Sequence, residues 1–302
     1  MKLYIIGNGF DRGHNLPTSY WDFRMFLENA HPEFLASFEE HYGIYSGMTD
    51  SDKGLLLWNE FETNLVNIDE GTILDNAVRI DMDLESGDVG IKDTLYYYFS
   101  EEYAHIRKLP AYLKQWVRTI KIRDTQKRTS LITNDSIYLT FNYTAVLENV
   151  YGIEASRITH IHGSLRDYDI DPVIGHGNQA RIQNIHNQKE EAQNLFDEKW
   201  ESICSVIEEY YRNTLKDVDK YSYALHKLSG KDIDEIFVIG HSLAGVDMPY
   251  FREIDSLTEN KLSWNVYFYN PDEQAKFKAN LISVGIEESR IHLIPATEFY
   301  NL

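Results

Sequence analysis

Four short clusters in this chain carry residue types suited to chemistry at a phosphate or a sugar, and each follows an apolar run. Gly7-Asn8-Gly9-Phe10-Asp11 comes first. Its two glycines free the backbone for positive φ and for close approach to a ligand. A helix start just beyond would offer unpaired N–H groups to an anion. The full dinucleotide fingerprint asks for a third glycine at position 12, but Arg12 stands there and Gly13 comes one place late. Asn142-Tyr143-Thr144 follows a second run, and the Asn142 amide suits a ribose hydroxyl or a positioned water. His160-Ile161-His162-Gly163 ends a third, and an imidazole at His162 suits a general base near neutral pH. Gly240-His241-Ser242 and Asp247 follow a fourth. Chemistry on a nucleotide needs such parts: a grip on the phosphates, a shielded sugar, and a base aimed at water. On this reading Asn142 and His162 are catalytic. Gly7, Asn8, Gly9, Phe10, Asp11, His14, Gly240, His241, Ser242 and Asp247 contact the ligand. No metal and no separate cofactor is required, and a nucleotide is the candidate ligand or substrate.

The same residues allow other chemistries. Gly240-His241-Ser242-Leu243-Ala244-Gly245 sits between a strand and a helix, as a nucleophile elbow would. Ser242 could then act with His292 or His241 and with Asp247 or Asp272, although Ala244 replaces a sterically required glycine. Strand alternation puts His160 and His162 on one face, and with His176 they could collect a divalent ion for a nuclease-type toxin. A nucleotide sensor without turnover needs only the contacts.

These clusters need a sheet to hold them. KLYIIG, SIYLTFN at 136–142, RITHIH at 157–162, DEIFVIG at 234–240, NVYFYN at 265–270 and RIHLIP at 290–295 read as strands. PVIGHGN at 172–178 reads as a short strand or loop. Helical patterns cover 20–30, 55–68 (with Leu57, Phe61 and Leu65 on one face), 92–123 with a break near Pro110, and about 185–229. Strands alternating with helices, and chemistry after strand ends, describe a doubly wound, mostly parallel α/β sheet. Helical insertions at about 32–130 and 180–230 leave a single domain over 1–302.

Composition narrows the setting. Of 302 residues 43% are hydrophobic, enough for a full core, and a net charge of −19 disfavours broad nucleic-acid binding while leaving room for a local basic patch. The one cysteine, Cys204, allows neither an internal disulfide nor a zinc ribbon. No leader or membrane-length apolar run is visible, so the expectation is a cytoplasmic protein without a membrane partner.

GNGFDRGHNLPTSYWDF, FNYTAVLE at 141–148, HIHG at 160–163, GHGN at 175–178 and GHSLAGVD at 240–247 resemble, in the same order, the bacteriophage abortive-infection family AbiH. The resemblance implies phage defence, with a phage-derived trigger and self-association as expected partners. More distantly the chain resembles the sirtuin-like NAD-binding fold. Sirtuins open Gly-Ala-Gly-Ile-Ser, and Gly7, Gly9 and Pro17 fall at matching places. Their Asn-hydrophobic-Asp string is similar to Asn142-Tyr143-Thr144, their His-Gly to His162-Gly163, and their Gly-Thr-Ser to Gly240-His241-Ser242. This implies an NAD glycohydrolase-like hydrolase, with NAD or a related nucleotide as ligand or substrate and Pro17, Tyr143, Thr144 and Gly163 among the residues that contact it. Two departures stand out: Asp11 replaces the serine, and Thr144 replaces the acid.

Overall fold

The computed structural model describes residues 1–71, 107–167 and 169–300. In chain order its main elements are β1 (Lys2–Ile6), α1 (Asn8–Gly13), α2 (Tyr20–Ala30), α3 (Pro32–Glu40), α4 (Leu109–Thr119), β2 (Ile137–Thr140), α5 (Val146–Asn149), β3 (Ile158–His160), α6 (Gln179–Asn194), α7 (Glu198–Asn213), β4 (Glu235–Ile239), α8 (Met248–Leu257), β5 (Ser263–Phe268), α9 (Gln274–Ser283) and β6 (Ile291–Pro295). Among the described residues no helix is long and apolar enough to cross a membrane. The chain divides into two compact units. One comprises Met1–Asp22, Leu113–Val173 and Asp217–Leu302; the other comprises Phe23–Tyr112 and Ile174–Lys216.

The first unit holds the sheet. Six strands run in the order β3-β2-β1-β4-β5-β6, every pair parallel. This is the expected doubly wound α/β fold. Parallel strands covered on both faces must be apolar on both, and Leu3, Tyr4, Ile5 and Ile6 of β1 are each at most 1% exposed. Leu3 and Ile5 join Leu139, Ile236, Val238 and Trp264 in one core layer. On the opposite face Tyr4 stacks between Tyr138 at 5.6 Å and Phe237 at 5.0 Å, because register pairs it with both. Burying each such side chain contributes about 1.5–3 kcal/mol. The strand order reverses between β1 and β4, so their C-terminal ends diverge into the crevice where open α/β sheets bind ligands.

Strand boundaries depart from the sequence reading at β2, which ends at Thr140 and not at Asn142, and at β3 and β5. β3 stops at His160, because a turn follows in which Gly163 takes φ +81° and the Val173 amide bonds the His162 carbonyl at 2.9 Å. Segment 172–178, read as a short strand or loop, is a loop apart from one isolated bridge between His176 and Leu215. β5 begins at Ser263, before the expected residue 265.

The second unit is helical and rich in buried aromatics. The predicted helix over 55–68 is broken: a π-helical turn, Gly54–Trp58, precedes a short α-helical turn, Phe61–Asn64. Leu57, Phe61 and Leu65 are nonetheless all fully buried, so the apolar spacing is right and the uniform helix is not. Trp58 and Phe61 stack at 4.7 Å. The polar stretch after residue 178 folds as a hairpin of α6 and α7. Its link is a Schellman turn, with Phe196 N–H to Gln193 O at 3.2 Å and Asp197 N–H to Ala192 O at 2.9 Å. Phe196 holds the left-handed position at φ 57° and is 90% exposed. The Asp197 carboxylate then caps α7 by accepting from the Trp200 amide. The predicted helical stretch over 92–106, Tyr96-Tyr97-Tyr98 and the acidic run 81–88 lie outside the described residues.

Candidate functional site

Two polar clusters gather after the C-terminal ends of β1 to β4, both within the sheet unit. The first begins where β1 turns into α1. The Gly7 amide bonds Ile239 O at 3.0 Å and the Gly9 amide bonds Gly240 O at 2.7 Å. A Cβ on Gly7 would lie 2.5 Å from His241 Cα, one on Gly9 2.7 Å from Gly240 Cα, and one on Gly240 2.1 Å from the Phe10 nitrogen. These glycines therefore let the β1 and β4 loops pack backbone to backbone. Two amides expected to cradle an anion are spent on the neighbouring loop, and α1 is only six residues long.

α1 turns Asp11 inward, leaving it 1% exposed. One carboxylate oxygen accepts from Asn142 Nδ2 at 2.9 Å and the other from Thr144 Oγ1 at 2.5 Å. The same Asn142 nitrogen also reaches Gly7 O at 3.2 Å. Among the described residues no cation forms an ion pair with Asp11, and burial pushes its pKa up to about 6 against the opposing pull of the Thr144 and Asn142 hydrogen bonds. Asn142 Oδ1 is buried and accepts no hydrogen bond from any described residue.

Behind Asn142 stands His160, the last residue of β3. Its Nδ1 lies 2.8 Å from the Asn142 carbonyl, and its Nε2 lies 3.0 Å from Glu148 Oε1. Burial works against the Glu148 carboxylate, but His160 and Arg166 together hold its pKa below the usual range. Arg166 reaches Glu148 at 3.1 Å and grips Asp169 with two nitrogens at 2.7 and 3.0 Å. The strand end is thus tied to the loop that follows β3.

The second cluster centres on Asp247. One of its oxygens lies 3.5 Å from His162 Nε2 and the other 3.4 Å from His241 Nε2. His241 Nδ1 accepts the Leu243 amide at 3.0 Å, so in the neutral ring the proton sits on Nε2, facing Asp247. Tyr250 OH lies 3.3 Å from His162 Nε2. The Phe141 ring packs at 5.1 Å from His162 and 4.5 Å from His241. Separations of 3.4–3.5 Å are long for hydrogen bonds, and catalytic contacts often tighten only around substrate.

Several predicted site residues thus come together: Asp11, Asn142 and Thr144 in one cluster, His162, His241 and Asp247 in the other. Asn142 and His162 fall in different clusters. Others have structural work. Phe10 is a core ring, 4.5 Å from His14. His14 donates from Nδ1 to Phe10 O and accepts from Tyr151 OH, both at 2.7 Å, and burial lowers its pKa. Tyr143 OH bonds Val173 O at 2.6 Å. A Cβ on Gly163 would lie 2.3 Å from Ile170 O. Asn8 is exposed with its amide on Thr18 O, and Pro17 is exposed.

The elbow and the histidine group look different once folded. Ser242 is exposed, Leu243 rather than Ser242 takes the positive φ of 48°, and among the described residues no hydrogen bond joins Ser242 to a histidine. Because β3 ends at His160, its ring and that of His162 go to separate partners. Both His176 nitrogens are used, by Tyr211 O at 2.9 Å and the Asn178 amide at 3.1 Å. Among the described residues no group of three or more His, Cys, Asp or Glu side chains is arranged to hold a metal ion. Glu148, Arg166, Phe141 and Tyr250 were not expected at the site. They lie outside its glycine-marked turns, and only folding brings them in.

The family model described as Bacteriophage abortive infection AbiH matches residues 3–268. No curated protein matches the chain.

Proposed function

We propose that this chain, which belongs to the bacteriophage abortive infection AbiH family, binds a nucleotide at the strand-end crevice and cleaves its glycosidic bond, with NAD the first candidate. Membership supplies the biological setting, abortive infection in response to phage. One observation carries the chemical reading. At its two departures from the sirtuin-like pattern, positions 11 and 144, a carboxylate and a hydroxyl have exchanged places, and here they are hydrogen-bonded to each other at 2.5 Å. The exchange keeps one carboxyl and one hydroxyl in contact, with the Asn142 amide on the same carboxyl.

Asn142 Oδ1, buried without a donor among the described residues, suits a ribose hydroxyl or the attacking water. An ionised Asp11 would favour positive charge developing on the sugar ring. His162, faced by Asp247, takes the proton as water adds to the anomeric carbon. The ribosyl–nitrogen bond breaks, and nicotinamide leaves with the bonding pair. The products are nicotinamide, ADP-ribose and one proton.

The test is mass-spectrometric measurement of nicotinamide after incubating purified protein with NAD, alone and with phage lysate. Asn142→Ala and His162→Ala should each lower the rate by about 10²–10⁴-fold. Intact NAD under both conditions, or release that neither substitution slows, would sink the proposal.

A further inference from the structure

Against the net charge of −19, the stretch from Leu113 to Arg128 holds Lys114, Arg118, Lys121, Arg123, Lys127 and Arg128 with only Asp124 opposing them. Elsewhere buried and half-buried cations are matched to carboxylates, as in Arg24–Glu39, Arg166–Glu148, Lys216–Glu62 and Arg290–Asp255. In this stretch Lys114 pairs with Asp171. Arg118, Lys121, Arg123, Lys127 and Arg128 form no ion pair among the described residues. Positive charge that forms no ion pair among the described residues and is concentrated on one stretch is a feature to be explained in an acidic chain.

The loop also walls a cleft of about 540 Å³. Lys121 and Arg128 line it, with Asn15, Thr125 and Gln126 as neutral hydrogen-bonding groups and Asp124 as the one acid. Its wall is braced from α1. His14 accepts from Tyr151 OH at 2.7 Å, and that oxygen accepts the Arg128 amide at 3.0 Å. The backbone that carries Arg128 is therefore fixed before any ligand arrives.

We infer that this cleft binds a phosphorylated small molecule of about nucleotide size, with Arg128 and Lys121 on its phosphates. The volume falls within the roughly 300–1,000 Å³ usual for small-molecule sites. Charge argues for a small anion over a nucleic-acid strand. With a screening length of about 8 Å at physiological salt, a ligand inside the cleft feels the local cations, whereas a strand would run on across an acidic surface. The inference goes beyond the crevice reading and does not need the crevice to bind anything.

Calorimetric titration with ATP and with inorganic pyrophosphate tests it on three proteins: wild type, Lys121→Gln/Arg128→Gln, and Lys261→Gln/Lys278→Gln. The third removes the same charge from surface ion pairs elsewhere. Wild type should bind, the cleft variant should bind about tenfold more weakly or worse, and the control should stay within about twofold of wild type. Neither cleft side chain is buried, so the cleft variant's thermal midpoint should match wild type. Equal weakening in both variants, an effect in neither, or no wild-type binding of either probe at about millimolar concentration would overturn the inference. So would a short single-stranded DNA that binds more tightly than ATP.

Discussion

The buried carboxylates of the helical unit and Asp11, at the strand ends of the sheet unit, are held in opposite ways. In the helical unit Glu39 receives Arg24 Nε at 2.7 Å and Nη2 at 3.2 Å, plus Trp58 Nε1 at 2.7 Å. Glu62 receives Lys216 at 2.5 Å. Glu208 gathers Arg212 at 2.7 Å and Lys189 at 3.2 Å, which keep its pKa low although burial works against its ionised form. Asp255, in the sheet unit but away from the crevice, is likewise gripped by Arg290. Asp11 alone of these is held only by neutral donors. A fold built for stability alone would pair such a group with a cation or replace it with an apolar side chain. The mismatch supports the chemical role proposed for Asp11.

The sharpest break of the comparison is Arg24→Ala. It strands Glu39 in the core and should cost about 3–5 kcal/mol in chemical denaturation. Asp11→Asn should do the reverse. The folded pKa of Asp11, about 6, lies above its ordinary value of 3.8, so in that window the folded state holds more protons than the unfolded state. Stability should therefore fall as pH rises from about 4 to 6, by roughly 3 kcal/mol at most. The introduced carboxamide can accept from Asn142 through its oxygen while its nitrogen donates to Thr144, so this variant should melt higher than wild type at pH 7. That gain should vanish near pH 4, and nicotinamide release should be lost. A variant less stable at pH 7 would place Asp11 with the structural carboxylates.

The exchange at positions 11 and 144 gives a finer test. Asp11→Ser and Thr144→Asp should each lower activity, while the double variant should recover about tenfold over the worse single change, a coupling of more than about 1.4 kcal/mol. Strictly additive losses would remove the exchange argument. The smallest effect is expected at the helical hairpin. Phe196→Gly relieves a bulky residue in the left-handed position of a Schellman turn and should stabilise by about 1 kcal/mol. No gain in thermal midpoint would mean that the turn already accommodates phenylalanine without strain.

Much of this was legible in the residues, for local reasons. KLYIIG and DEIFVIG are apolar at every interior position, which only a strand covered on both faces tolerates. Ser19 before a helix-spaced run marks α2, where Asp22 accepts from its amide at 2.9 Å. Asp11, Asn142, His162, His241 and Asp247 could be picked out because each follows a strand end. Their partners could not. Glu148 lies 12 residues before His160, and Tyr250 lies 88 residues after His162. The glycine turn misled for a related reason: Gly-x-Gly signals close backbone approach but not what approaches, and here it is the Gly240 loop.

The sequence by itself therefore determined the parallel sheet, the chemistry-bearing turns and the family, because alternation, apolar runs and short motifs are written over a few adjacent residues. Among the described residues, tertiary structure decided which carboxyl goes without a cation, which histidines share Asp247, and where positive charge without an ion pair meets a cleft. Burial and charge pairing are sums over neighbours drawn from distant parts of the chain, and those neighbours exist only once strands β1 to β4 lie side by side.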